Sequence, residues 1–451
     1  MSVVSFAAGD PRDRSTQWRV RTGHVLLFAL VLFAVGNLGR IPFLNLGERQ
    51  APILINDLCV GAVLMAGALA MGNARSIRLN DVALAALVFA GIGALSAFAA
   101  IPRFGLSWFE VIASLAYLAR WLFYFALYVV VINCLRATDV EGTWMMIERV
   151  LLFMAVFGMV QAAFLPNFAF IVYPELGPRE FDAQRNRLVS TILDPNIMAA
   201  MIGVVLLVQL SRMAFGVKVA TWKPLLLASA LLLTLSRGGL FSFGVGALVI
   251  LAVKGVTKGF AKLGAIVIGL MLLALPWLIP FANQYARFTF SDDSALARLI
   301  TWQRAIGAFL ESPWFGIGFN TYGFVQEHRG FERLAAQSYS AEGGLLFIAV
   351  MTGIVGLAVY LVMLWLVLRR CRRGWLDRRA TPSERGLFLG VGAATVAILV
   401  DSIFVNSLFM PFVMELLWVM WGLTFVAAAS ARARRSEGIS FAPIASVTQH
   451  A

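Results

Sequence analysis

A chain of 451 residues that is 60% hydrophobic and only 14% charged, with a mean hydropathy of +0.82, is too apolar for a water-soluble protein. Its net charge of +13 and pI near 10.3 would suit nucleic acid, but the basic residues are spread between apolar runs, as membrane orientation requires. Cys59, Cys134 and Cys371 show no CxxC spacing, which argues against a disulfide framework and a thiolate metal site.

The polar, Arg-bearing start of the chain leads into an apolar run without a small-x-small cleavage signal, and reads as an uncleaved first span. Runs long enough to cross a bilayer then recur, and the spacing predicts spans near 24–39, 51–71, 82–101, 111–134, 148–166, 195–214, 223–236, 238–253, 263–281, 342–368, 386–406 and 410–430. The predicted class is an all-α polytopic membrane protein of about 12 helices. Ser236-Arg237-Gly238-Gly239 interrupts one apolar block between the seventh and eighth spans, as a tight hairpin or a re-entrant break. Residues 1–281 would hold nine spans and a smaller polar loop at 167–194. Residues 282–341 would form a large helical loop, and 342–451 three more spans and a tail. Within that loop Asp292-Asp293-Ser294 supplies N-cap chemistry, and Ala295, Leu299, Trp302, Ile306 and Phe309 mark an amphipathic helix that Pro313 closes. With a cytoplasmic N-terminus, 24 of the 37 Lys and Arg residues fall inside and 12 outside. That bias predicts a multi-pass inner-membrane protein with both termini in the cytoplasm and both polar loops in the periplasm.

The outside arginines are the first candidates for a site. A guanidinium holds phosphate oxygens in a planar fork and keeps its charge. Arg185 and Arg187 stand where the chain re-enters the membrane, Arg237 in the interrupted block, and Arg298 off the apolar stripe of the loop helix. Each one taken singly also suits interfacial snorkelling. Arg120 lies inside the fourth span, a depth at which an arginine faces the bundle interior and pairs. Asp57 and Asp401 are intramembrane acids, and Arg120 or other polar groups are their expected partners. Several outward arginines together point to an anionic ligand such as a lipid-linked diphosphate. Asp194-Pro195-Asn196 reads as a helix start whose dipole would add to such a site. Two residues could accept a proton: Glu342, where the long loop re-enters the membrane, and His328 within the loop. Glu342 could equally complement a helix dipole, and His328 could be plain solvated loop. No Walker loop, GxGxxG, HExxH or His/Cys cluster is present, so the expectation is no metal and no cofactor.

Four stretches resemble the O-antigen ligase/polymerase superfamily of bacterial polysaccharide assembly: Arg187 to Asn196; Ser236-Arg237-Gly238-Gly239; Arg298 to Trp302 with Pro313 to Asn320; and Thr352-Gly353-Ile354-Val355-Gly356. The resemblance implies transfer of a glycan from a polyprenyl-diphosphate carrier to an acceptor hydroxyl at the periplasmic face, without metal or nucleotide. The acceptor would be a glycan or a lipid-linked glycan. It assigns Arg187 and Arg298 to the diphosphate. Ligases of the family carry a His-Asn pair about nine residues before the final glycine block, where this chain has Glu342-Gly343. That difference favours a polymerase of O-antigen, capsule or exopolysaccharide repeats over a lipid A-core ligase. The rival class is a flippase or secondary transporter of lipid-linked oligosaccharide. It suits the span count, but not the placement of the largest loop outside the membrane.

Overall fold

A backbone surrounded by hydrocarbon must satisfy its own N–H and C=O groups, and the apolar runs of this chain become helices accordingly. The structure, a computed structural model, describes residues 14–41, 45–46, 49–50, 53–72, 77–174, 187–255, 293–331 and 343–436. In chain order the helices are α1 (Arg14–Leu32, continued by a 3-10 segment Phe33–Gly39), α2 (Ile55–Gly72), α3 (Asp81–Phe104), α4 (Trp108–Cys134) and α5 (Asp139–Phe164). There follow α6 (Phe168–Val172), α7 (Pro195–Ala214), α8 (Trp222–Leu233), α9 (Arg237–Lys254), α10 (Asp293–Glu311) and α11 (Tyr322–His328). The last three are α12 (Gly344–Leu376), α13 (Pro382–Asp401) and α14 (Pro411–Ser436). Two small antiparallel ribbons, Arg40–Ile41 with Ile53–Leu54 and Asn45–Leu46 with Arg49–Gln50, join α1 to α2.

Among the described residues, 10 helices are long and apolar enough to cross a membrane. The protein is therefore an all-α polytopic membrane protein. The expected ninth span, 263–281, lies outside the described residues. The expected seventh is shorter than its apolar run: α8 has 12 residues, roughly 18 Å at 1.5 Å per residue. It stops there because Leu235 takes a positive φ of 52° and Ser236 caps the next helix by accepting from the Gly239 N–H. Other helix starts follow the sequence signals. Ser107 with Glu110, and Thr381 with Glu384, form capping boxes at α4 and α13.

Helix α7 is the hub, almost wholly buried between α13, α9 and α8. Around it α3 packs on α12 and α4 on α14. Leu84, Leu95 and Phe164 point outward, as lipid-covered side chains do. Inside the bundle Arg120 donates to Asp57 through Nε at 3.2 Å and Nη2 at 2.6 Å, and the Tyr124 hydroxyl donates to the same carboxylate at 2.7 Å. Asp401 does not join this pair; it accepts from Ser407 instead.

Helix α12 is broken. Gly353 adopts φ +66° and ψ −170° in its middle, and the segment after α10 plugs the gap. Ile317 and Gly318 donate backbone N–H groups to Val350 and Met351 at 2.8 and 3.2 Å, while Ile354 and Val355 donate to Pro313 and Trp314 at 2.7 and 3.3 Å. Ser96 of α3 donates to the Phe315 and Met351 carbonyls at 2.6 and 2.7 Å, which closes the joint. A Cβ on Gly353 would sit 2.2 Å from the Trp314 carbonyl carbon, so only glycine allows this approach. The Pro313–Asn320 and Thr352–Gly356 stretches are thus two halves of one joint.

Helix α10 forms where its pattern predicts, and its buried face is turned partly off the expected stripe: Phe309 packs on the core, but Ile306 does not. Ala305, Ala308 and the following Ser312 are buried, whereas Ile306 and Leu310 are 47% and 67% exposed. Small residues let α10 lie close on α12.

Candidate functional site

The site begins with a stretch whose only regular structure is one 3-10 turn, Ser190–Ile192. After the segment 175–186, which lies outside the described residues together with Arg185, residues Arg187–Leu193 are all buried. Buried irregular backbone needs partners, and neighbouring elements supply several. The Leu188 N–H donates to the Leu233 carbonyl at 3.0 Å. Gln161 Oε1 accepts from Val189 and Ser190 at 3.0 and 3.2 Å. Asn37 donates to the Ile192 carbonyl at 2.6 Å. Ser190 and Leu193, neither of them glycine, take φ of 53° and 60°. Backbone strain of this kind persists where surroundings over-determine it, commonly at functional sites.

This stretch delivers Arg187 to the start of α7. The arginine is buried, with Nε donating to the Thr234 carbonyl at 2.8 Å and Nη2 to Asn196 Oδ1 at 3.3 Å. Asn196 is free for this task because Asp194 does the capping, accepting from the Asn196 and Ile197 N–H groups at 2.8 and 3.0 Å. Pro195 fills the first turn, where no N–H is missed. Ser236 donates to the same Asn196 oxygen at 2.8 Å. The start of α9 is thereby tied to the start of α7, and a Cβ on Gly239 would lie 2.5 Å from the Ala199 Cβ. Arg237, at the first position of α9, is exposed beside this contact.

A third helix start adjoins from the other side. Gly344 opens α12, and its N–H and that of Leu345 donate to the Val405 and Ser402 carbonyls, both at 3.4 Å. The same loop carries Asp401, whose Oδ1 lies 3.6 Å from a Cβ built on Gly238. Asp401 is buried and holds Ser407. An aromatic cluster, with Phe409 on Phe319 at 6.1 Å and on Phe347 at 6.0 Å, connects this loop to the joint in α12. The N-termini of α7 and α9, each a partial positive charge, therefore meet beside Arg187 and Arg237, and the loop that holds the start of α12 follows the buried Asp401, which lies against Gly238. Helix N-termini with guanidinium groups beside them are an arrangement suited to an anion.

The remaining sequence candidates fall elsewhere or outside the described residues. His328 ends α11, and its Nε2 is 3.0 Å from Glu110 Oε1 at the start of α4. Arg103 fastens the same region through Ser312 at 2.8 Å and the Glu311 carbonyl at 2.7 Å. Tyr322 is buried there; burial pushes its phenol up to about 12 against the pull of Arg304 and Arg329, so it stays a neutral donor. Arg120 is engaged by Asp57. Arg298 lies on α10, but its side chain is outside the description, as is Glu342. The described neighbour of Glu342, Gly343, rests against the Ile403 carbonyl at the mouth of the site. Asn196 and Ser236 carried no assigned role in the sequence reading. Among the described residues no group of three His, Cys, Asp or Glu side chains is placed to hold a metal ion.

Residues 225–361 match the family described as O-antigen ligase (Wzy_C). The matched segment runs from α8 through the joint in α12, and so contains Ser236, Arg237 and the Pro313–Asn320 plug. No curated protein matches the chain.

Proposed function

With the O-antigen ligase match supporting the O-antigen ligase/polymerase superfamily as premise, we propose that this chain is a membrane glycosyltransferase with a lipid-linked donor. It would transfer a glycan from a polyprenyl diphosphate to an acceptor sugar hydroxyl at the periplasmic face. The observation that carries the reading is the convergence of Arg187 and the starts of α7 and α9 on Asn196 and Ser236.

In the reaction the acceptor oxygen bonds to the anomeric carbon as the carbon–oxygen bond to the diphosphate breaks. The departing diphosphate carries the new negative charge. Arg187 and Arg237, with Arg185 and Arg298 in support, hold that charge in a site of low dielectric, which needs no metal ion. The proton of the acceptor hydroxyl goes to a base, for which Glu342 is the proposed residue and His328 the alternative. Glu342 follows from its place one residue before Gly343. His328 follows from its contact with Glu110, which would orient the imidazole and stabilise its protonated form. The Glu342-Gly343 pair favours polymerase over ligase.

The test is a deletion strain. Loss of the chain is expected to abolish surface polymer while lipid-linked repeats accumulate at the outer face of the inner membrane. Accumulation confined to the inner face would assign the chain to the flippase class instead.

A further inference from the structure

At the far end of the bundle from Arg187, the last turns of α12 carry two adjoining features. A cavity of about 380 Å³ opens between the C-terminal end of α12, the start of α3 and the end of α14. Arg369, Arg370, Arg373, Arg379 and Arg432 line it, against two carboxylates, Asp81 and Asp377. Arg370 is committed, to Asp81 at 3.0 Å and to the Tyr128 hydroxyl at 2.9 Å. Arg369, Arg373 and Arg432 form no ion pair among the described residues. Directly beside it, sharing Arg369 and Arg373, lies an apolar groove of about 600 Å³ lined by Trp365, Leu368, Trp375 and Leu376 with Val249 and Val396.

A guanidinium cluster with spare charge selects an anion, and phosphate is the anion its fork fits. Free phosphate would leave the groove unused. A ligand that joins a phosphate to long hydrocarbon chains would fill both features through one pair of arginines. Trp365, half-exposed at 54% in the groove, lies under the shared Arg369 guanidinium, 5.2 Å from its ring centre, and tryptophan is a residue enriched at membrane interfaces. On the orientation predicted by the Lys and Arg distribution, this end faces the leaflet whose anionic lipids attract arginine.

We propose that this is a binding site for an anionic phospholipid, with its headgroup phosphate on Arg369, Arg373 and Arg432 and an acyl chain in the Trp365–Leu376 groove. Bound there, the lipid would tie the end of α12 to α3 and α14. The site is independent of the transfer chemistry at the opposite end.

The experiment uses the purified full-length chain, stripped of lipid in detergent and titrated with phosphatidylglycerol or phosphatidylcholine, with retained lipid counted by native mass spectrometry. Phosphatidylglycerol is expected to bind at least about tenfold tighter than phosphatidylcholine, given that each arginine near a lipid surface contributes appreciably to anionic lipid binding. The triple variant Arg369→Gln/Arg373→Gln/Arg432→Gln should lose that preference. Leu368→Asn/Leu376→Asn, which keeps every arginine, should weaken phosphatidylglycerol severalfold. The single variant Arg373→Gln should weaken it measurably, and it decides the matter if the triple variant does not fold. Equal retention of both lipids, or no change in the arginine variants, would overturn the proposal. Displacement of the lipid by millimolar inorganic phosphate would replace it with a free-phosphate site.

Discussion

Arg187 and Ser236 donate to the same oxygen, Asn196 Oδ1, at 3.3 and 2.8 Å. One side chain precedes α7, the other caps α9, and the acceptor sits in the first turn of α7. This shared oxygen fixes the distance between two helix N-termini and aims a buried guanidinium between them. The arrangement fixes the site geometry before any ligand arrives, which is what electrostatic stabilisation of a leaving group requires.

Asn196 should therefore be more sensitive than a helix-surface residue. Asn196→Ala removes the acceptor from both donors, and Asn196→Asp adds a negative charge beside Arg187 where the diphosphate charge would sit. Both variants are expected to fold. The Ala variant should lose roughly tenfold or more in transfer rate, as one misplaced hydrogen-bonding group in a site costs on the order of 1–3 kcal/mol. The Asp variant should lose more, mainly through weaker donor binding. Transfer kinetics against donor concentration would separate the two effects, and a fully active Asp variant would contradict the anion role.

The joint in α12 predicts a stability effect without chemistry. Gly353→Ala would put a methyl 2.2 Å from the Trp314 carbonyl carbon at a φ of +66°. Backbone strain at such a position costs on the order of 1–3 kcal/mol, and the clash adds to it. Lower yield and a lower melting temperature in detergent are expected, while Gly307→Ala, with open space around its Cβ, should be near neutral. Equal melting temperatures for the two variants would show that α12 straightens freely.

The Arg120–Asp57 pair predicts asymmetry between single and double variants. Its side chains are 23% and 15% exposed, so either partner alone is a poorly solvated charge. Arg120→Ala is expected to destabilise by about 3 kcal/mol, at the lower end for buried pairs because some exposure remains. Arg120→Gln/Asp57→Asn should recover much of that loss. If the double variant transfers glycan normally, Arg120 serves the fold; if it folds but does not transfer, Arg120 also serves the diphosphate.

The choice of base can be decided by two substitutions. Glu342→Gln keeps shape and hydrogen bonding but cannot take a proton, so it should bind donor and fail to transfer, while His328→Ala remains largely active. The reverse pattern would move the role to His328 and its Glu110 partner, 3.0 Å away. Activity in both variants would leave arginine electrostatics as sufficient.

Much of the fold was legible because apolar length reports directly on a membrane span, as α3, α4, α5 and α7 show. Arg187 was legible as a charge at a membrane re-entry point. Asn196 and Ser236 were not, because a polar residue near a helix start can cap, pair or face lipid. Asp194 was legible as the cap from Asp194-Pro195-Asn196, but only the structure shows that Asn196 then accepts from Arg187 and Ser236. Arg120 was legible as a partner for Asp57 or Asp401, but which acid it takes was not, since that depends on α2 lying against α4. The buried face of α10 was legible only in part. Phe309 lies on it as the apolar stripe predicts, but Ala305 and Ala308 share it in place of Ile306, because small residues allow close approach to α12.

The central claim is glycan transfer from a lipid-linked diphosphate at a site built on Arg187. The direct measurement reconstitutes the purified chain in proteoliposomes with a polyprenyl-diphosphate-linked oligosaccharide, a chelator and an acceptor glycan. Product is followed for the wild type, Arg187→Ala and Arg187→Lys. The account predicts transfer by the wild type despite the chelator, none by the Ala variant, and a small residue of activity with Lys, which lacks the planar fork. Lipid-linked oligosaccharide that crosses the bilayer unchanged, or an Arg187→Ala variant with wild-type transfer, would contradict it.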